Sequence, residues 1–190
     1  MYFCFYMDRI ILGIDPGTNI MGYGLLHIVQ GHMKLLDLGL LHLHNLDNHP
    51  LKLKKIFETS VSLIELHKPD ELAIEAPFYG KNIQSMLKLG RAQGVAIAAA
   101  LYKNIPIAEY SPKKIKQSLT GNGNASKEQV AAMLKTLLHF SESPKHLDAT
   151  DALAAAVCHY FQTSGKTTVE NKKNYSGWKG FLAENPGRKI

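Results

Sequence analysis

Four carboxylates stand where a purely structural account of the chain struggles. Asp15 closes an apolar run at residues 10–14. Glu75 closes a second one (ELAIE, 71–75), and Asp148 and Asp151 are three apart in an Ala-rich stretch. On a helix that spacing puts both aspartates on one face, about a turn apart. No arginine is adjacent in sequence to Asp15 or Glu75. Carboxylates that converge repel one another unless a cation stands among them. Hard divalent ions take oxygen ligands, and Mg²⁺ is commonly held by one or two carboxylates together with phosphate oxygens. Two such ions about 3.5–4 Å apart can bind the attacking water and the departing oxygen of an in-line phosphodiester displacement. The pattern therefore points to metal-assisted hydrolysis of a phosphodiester. Singly, each acid has a plainer reading. Asp15 before Pro16-Gly17 suits a turn, and Asp148 suits a helix N-terminus. The signal lies in the set: two strand ends and a helix pair.

The elements that must position these acids can be read from periodicity. Residues 10–14 form a strand closed by Asp15-Pro16-Gly17. Residues 21–29 and 34–43 read as two more strands, with Gln30-Gly31-His32 as the hairpin turn. Leu53, Ile56, Phe57, Val61 and Ile64 mark one face of a helix that Pro69-Asp70 ends. A short strand follows at 71–75, then a long helix at 82–102 and a strand at 105–109. Val130, Met133, Leu134, Leu137 and Leu138 mark the next helix. Ser143-Pro144 gives a cap and first-turn proline for the last, which runs to about Phe161. The order βββ-α-β-α-β-α-α describes an α/β fold, a five-stranded mixed sheet flanked by helices. In such folds, sites form at strand ends and the helices beside them.

Length and composition fit one such domain. The chain has 190 residues, enough for a sizeable core. No apolar run approaches the roughly 20 residues that span a bilayer. The first residues are apolar but too short for a signal peptide and have no basic residues ahead of them. Residues 1–8 read as a disordered or extraneous leader, with Met7 as an alternative start. Residues 9–163 read as the folded domain, and the Lys-, Asn- and Gly-rich 164–190 as a polar basic tail without fixed structure. Cys4 and Cys158 have no partner at metal-ligand spacing and read as reduced thiols in a cytoplasmic protein. The net charge of +6 permits a polyanionic partner without demanding one.

Read together, these segments resemble the RuvC family of Holliday-junction resolvases, and residues 9–162 can be followed through it without a large gap. The stretches that carry the likeness are ILGIDPGT at 11–18 with Gly22-Tyr23-Gly24, AIEAPF at 73–78, and Lys81-Asn82. Further on come LKLGRAQG at 87–94, Lys116-Gln117, GNGNASKEQV at 121–130 and DATDALAA at 148–155. A lone Gly-Ile-Asp-Pro-Gly would be shared with other ribonuclease-H-like and actin-like proteins; several motifs in order are specific.

The resemblance implies a ribonuclease-H-like fold and a crossover junction endodeoxyribonuclease making paired symmetrical nicks at a four-way DNA junction. It places the family's metal-binding, catalytic acids on Asp15, Glu75, Asp148 and Asp151. It implies two Mg²⁺ per subunit, with Mn²⁺ as substitute, a homodimer, and cooperation with a branch-migration motor of the RuvA and RuvB type. Phe78 matches the family's aromatic near the junction centre, where stacking a base gains roughly 1–3 kcal/mol, and Tyr79 beside it shares either that role or a core one. Lys116 and Lys127 match basic positions used at DNA. Lys127 follows a flexible loop at 121–126 and would neutralise charge on the phosphate. Lys81, Lys88, Arg91, Lys113 and Lys114 extend the basic surface. Gly90 and Gly94 leave a flat stripe on the long helix, which in the family lies at the dimer interface; tight packing on its own sheet is the other reading. His146 reads as a surface histidine unless the last helix begins late, and His42, His44 and His49 show no clear ligand geometry. Three rival readings have discriminators. A ribonuclease-H-like RNA-processing nuclease fits the Glu75-x-x-Phe78 segment and the 82–102 helix poorly. An actin-like phosphotransferase would need a second domain. A non-catalytic junction binder would lack one of the acids.

Overall fold

The computed structural model describes residues 8–77, 82–140 and 147–164. Three strands open the chain: β1 (Arg9–Asp15), β2 (Ile20–Val29) and β3 (His32–His42). Then come α1 (His49–His67), β4 (Glu71–Glu75), α2 (Ile83–Tyr102), β5 (Ile107–Tyr110), α3 (Pro112–Thr120), α4 (Lys127–Leu138) and α5 (Leu147–Ser164). They build one five-stranded sheet in the order β3-β2-β1-β4-β5. The β1–β2 and β2–β3 pairs are antiparallel, and the β1–β4 and β4–β5 pairs are parallel. The mixed sheet expected from the sequence is present.

Alternation along β1 explains the layering. Leu12 and Ile14 face one side and pack with Leu25, Leu72, Ile56 of α1 and Ala96 of α2. Ile11 faces the other side, in a cluster with Leu26, Ala73, Leu134 of α4 and Leu153 of α5. Helices therefore cover both faces, which lets strands 1 and 4 be apolar between their charged ends. Glycine decides how closely α5 approaches. A Cβ on Gly13 would run into the Ala152 carbonyl, one on Gly22 into the Asp148 carbonyl, and one on Gly24 would lie 2.8 Å from Leu153 Cα.

Several boundaries differ from the sequence reading, each for a local reason. Gln30 (φ 51) and Gly31 (φ 81) both take left-handed conformations. That makes a two-residue hairpin turn, so His32 is not in the turn but pairs with Val29 as the first residue of β3. Strand β5 starts at Ile107 rather than 105, because Pro106 has no N–H to give; its carbonyl still accepts from Leu72 N at 2.9 Å. Helix α3 was not expected. It has only Ile115 and Leu119 buried, too few for a periodic signal, although Ser111-Pro112 is a good start. Helix α1 begins at His49, capped by Asn48, and Phe57 lies off its buried face at 36 % exposure. Asn82 caps α2 and is not part of it. The 121–126 loop, expected to be flexible, is hydrogen-bonded: Asn124 N donates to Asn122 Oδ1 at 3.0 Å, and Ala125 is buried.

At the starts of β1 and β4 a polar network ties α5 down. Arg9 pairs with Glu71 at 3.2 Å and donates to Thr163 Oγ1 at 2.7 Å. The buried His159 sits with Nε2 2.9 Å from Glu71 and Nδ1 2.7 Å from Tyr110 Oη. Cys158 is buried and unbridged. Among the described residues no helix is long and apolar enough to cross a membrane.

Candidate active site

Asp15 is the last residue of β1 and Glu75 the last of β4. The two strands are parallel neighbours, with Ile14 opposite Ile74, so the two carboxylates leave the sheet side by side. Helix α5 reaches the same end with its first turn, and its close approach at Gly22 brings Asp148 and Asp151 over β1 and β2. One carboxylate oxygen from each of Asp15, Asp148 and Asp151 lies within 4.8 Å of the others, a group able to hold a metal ion. Glu75 lines the same cleft, of about 330 Å³, with Asp15, Asp151, Lys116 and Lys127. It stands outside the group of three.

Lys127 is the first residue of α4, after a complete capping box formed by Ser126 and Gln129. Its Nζ lies 3.2 Å from Asp148 Oδ1 and 2.5 Å from Asp151 Oδ2. The sequence reading had this lysine at a phosphate; here the acids themselves engage it. One ammonium does not neutralise the cleft. Burial, then the charges of Glu75 and Asp151, push Asp15 well above the ordinary aspartate range despite Lys127. Burial and the Asp151 charge lift Glu75 to about 7 against the pull of Lys127 and Lys116. Burial also raises Asp151, outweighing its bond to Lys127. For Lys127, burial alone would lower the ammonium, but its bonds to Asp151 and Asp148 reverse the sign and hold it up. A cleft of hard oxygen donors whose protons are held this tightly has an excess of negative charge, the condition a divalent cation relieves.

Six of the residues selected from sequence, namely Asp15, Glu75, Asp148, Asp151, Lys127 and Lys116, thus meet in one place. Phe78, Tyr79, Lys81 and His146 lie outside the described residues, as do 1–7 and 165–190. His42 and His44 set their rings edge to face, with centroids 5.6 Å apart. The sequence reading missed Pro112 and Ile115, which give the cleft part of its apolar wall. Ser111-Pro112 was the available signal for the helix that carries them.

Comparison with known proteins finds similar chains and folds. The family described as "Crossover junction endodeoxyribonuclease RuvC" matches residues 11–159. The protein of that name from Cytophaga hutchinsonii is 62 % identical over 182 residues, covering 96 % of this chain and 88 % of that one. Its counterpart from Bacteroides fragilis is 58 % identical, with 95 % and 96 % covered. Among solved structures, T. thermophilus RuvC in complex with Holliday junction substrate superposes with a TM-score of 0.77 at 29 % identity, covering 84 % of this chain and 97 % of that one. The yeast mitochondrial Holliday junction resolvase Ydc2 shares the fold, at a TM-score of 0.60 and 14 % identity, over 81 % of this chain and 80 % of that one. The chain belongs to the RuvC family of crossover junction endodeoxyribonucleases.

Proposed function

We propose that this protein is a structure-selective endodeoxyribonuclease that resolves four-way DNA junctions by paired symmetrical nicks. The reading is carried by the three aspartates whose oxygens lie within 4.8 Å of one another at the end of the sheet. Asp15, Glu75, Asp148 and Asp151 are the residues that would hold Mg²⁺, with Mn²⁺ as substitute and two ions per subunit. When bound, such ions activate water and steady the leaving oxygen of an in-line displacement. In that reaction a water oxygen bonds to phosphorus as it gives up a proton, one bridging P–O bond breaks, and the departing oxygen takes up a proton from solvent to become a hydroxyl. The chain's own part is positioning. The strand ends and the first turn of α5 hold the carboxylates rigidly. Lys127 and Lys116 set positive charge in the lining of the cleft that a phosphate would enter.

Phe78 and Tyr79, following Glu75 by a few residues, are proposed to stack on unpaired bases, and Lys81 to contact the backbone. A second copy of the chain is proposed to pack on α2, where Ile83, Leu87 and Leu101 are exposed and Gly90 and Gly94 have open space beyond them. A branch-migration motor of the RuvA and RuvB type is proposed as partner on the family likeness alone.

The test is a synthetic mobile four-way junction incubated with and without Mg²⁺, beside duplex DNA and an RNA–DNA hybrid. Paired nicks on the junction, dependent on the metal, are expected. Glu75→Gln should bind the junction and not nick it. Full cleavage by that variant overturns the assignment of the acids, and preferential cutting of the hybrid favours the RNA-processing alternative.

A further inference from the structure

Helices α1 and α2 both begin at the end of the sheet where Asp15 and Glu75 stand, since each follows a strand that runs toward that end. Their first turns contain no acidic residue, and the sequence has none from 76 to 108. Lys88 and Arg91 project from α2, exposed, and Lys52 rises half-buried from α1. Among the described residues none of the three has a carboxylate within ion-pair distance. Further down the same helices cations are paired, Lys54 with Glu58 at 3.7 Å and Lys103 with Glu65 at 2.6 Å. Lys52 Nζ donates to Asn19 Oδ1 at 3.3 Å, which ties this cationic patch to the turn that follows Asp15. His49, the first residue of α1, completes it. Its ring is part-exposed, but Nε2 is enclosed and has no hydrogen-bond partner.

We infer that His49, Lys52, Lys88 and Arg91 form a second phosphate-binding site. It takes a non-scissile backbone phosphate of the DNA strand that enters the catalytic cleft. The inference rests on the nuclease reading and adds to it a specific anchor, separate from the acids and from Lys116 and Lys127. A phosphodiester is the anion that suits it. It is singly charged, it repeats along the strand, and its two free oxygens can take bonds from a guanidinium and ammonium groups together, with the His49 ring adding charge beside them once protonated. In the free protein burial, then the charges of Arg91, Lys88 and Lys52, keep His49 below its ordinary range. An arriving phosphate offsets those charges, so the imidazole takes up a proton as it binds.

The experiment measures metal-free binding of a labelled four-way junction as KCl is varied, at pH 6 and pH 8. The proteins are the full wild-type chain, the double variant Lys88→Ala/Arg91→Ala, His49→Gln and Lys55→Ala. Loss of the two cations should weaken binding about tenfold or more at moderate salt and reduce the slope of log affinity on log salt by about 1–2. A merely structural role would leave that slope unmoved. Wild type should bind more tightly at pH 6 than at pH 8, and His49→Gln should lose most of that difference. Lys55→Ala, an exposed cation outside the patch, should change neither. A double variant with wild-type affinity and slope overturns the inference. A wild-type chain that binds no junction DNA brings down the nuclease reading and this inference with it.

Discussion

An ammonium 3.2 Å from Asp148 and 2.5 Å from Asp151 does two things at once. It offsets part of the repulsion in the metal-free cleft, and it occupies oxygens that a divalent ion would use. Lys127→Ala should therefore destabilise the metal-free protein by about 1 kcal/mol, the lysine being half-exposed and its pair partly screened. The same change should enlarge the rise in melting temperature produced by Mg²⁺ and lower the nicking rate. A thermal scan with and without metal reads the first two effects; an Mg²⁺ increment smaller than wild type would contradict the assignment. Glu75 gives a pH signature. Its carboxyl titrates at about 7 in the fold and in the ordinary carboxylate range when unfolded. The folded protein thus holds the extra proton between those values, and stability from this group is full at acid pH and lost as pH rises through 7. The loss amounts to roughly 3–4 kcal/mol without metal. Mg²⁺ must displace that proton, so its stabilising effect should be small at pH 6 and large at pH 8. Glu75→Gln should flatten the metal-free pH dependence and raise the melting temperature at pH 8.

At the scale of elements, α5 is the part that makes the site. It lies on Gly13, Gly22 and Gly24, with its backbone where a side chain would otherwise be. Gly22→Ala would drive a methyl into the Asp148 carbonyl and lift the first turn from β2. The expected cost is about 2–3 kcal/mol in urea denaturation, with nicking falling further than the fraction unfolded accounts for. This also explains what the sequence could and could not disclose. Asp15 and Glu75 were legible because apolar runs end in acids, and Asp148 with Asp151 because helical spacing is local. Gly22 and Gly24 were legible only as a family motif, since their purpose is a contact across more than 120 residues. Helix α3 was illegible because two buried residues in nine make no period, and its place is decided by packing on α4 and α5. The ion pairs of Lys127 were illegible for the same reason. A loop before a lysine says where the chain turns, and only the fold says what the ammonium meets.

The molecule as a whole has one polarity. Three parallel strands deliver their C-terminal ends, and α1, α2 and α5 their N-terminal ends, to the edge that holds the acids. Positive helix ends and unpaired cations therefore collect around a negative centre. The opposite edge is closed by the Arg9, Glu71 and His159 network, to which the Tyr110 hydroxyl reaches back from the end of β5. Helix α5 joins the two edges, and from Asp148 to Ser164 it travels about 24 Å at the usual helical rise. Ser164, the last residue of α5, consequently stands at the back of the enzyme. A fluorophore or surface tether grafted there would begin far from the substrate's side, leaving the front clear for single-molecule observation of an arriving junction.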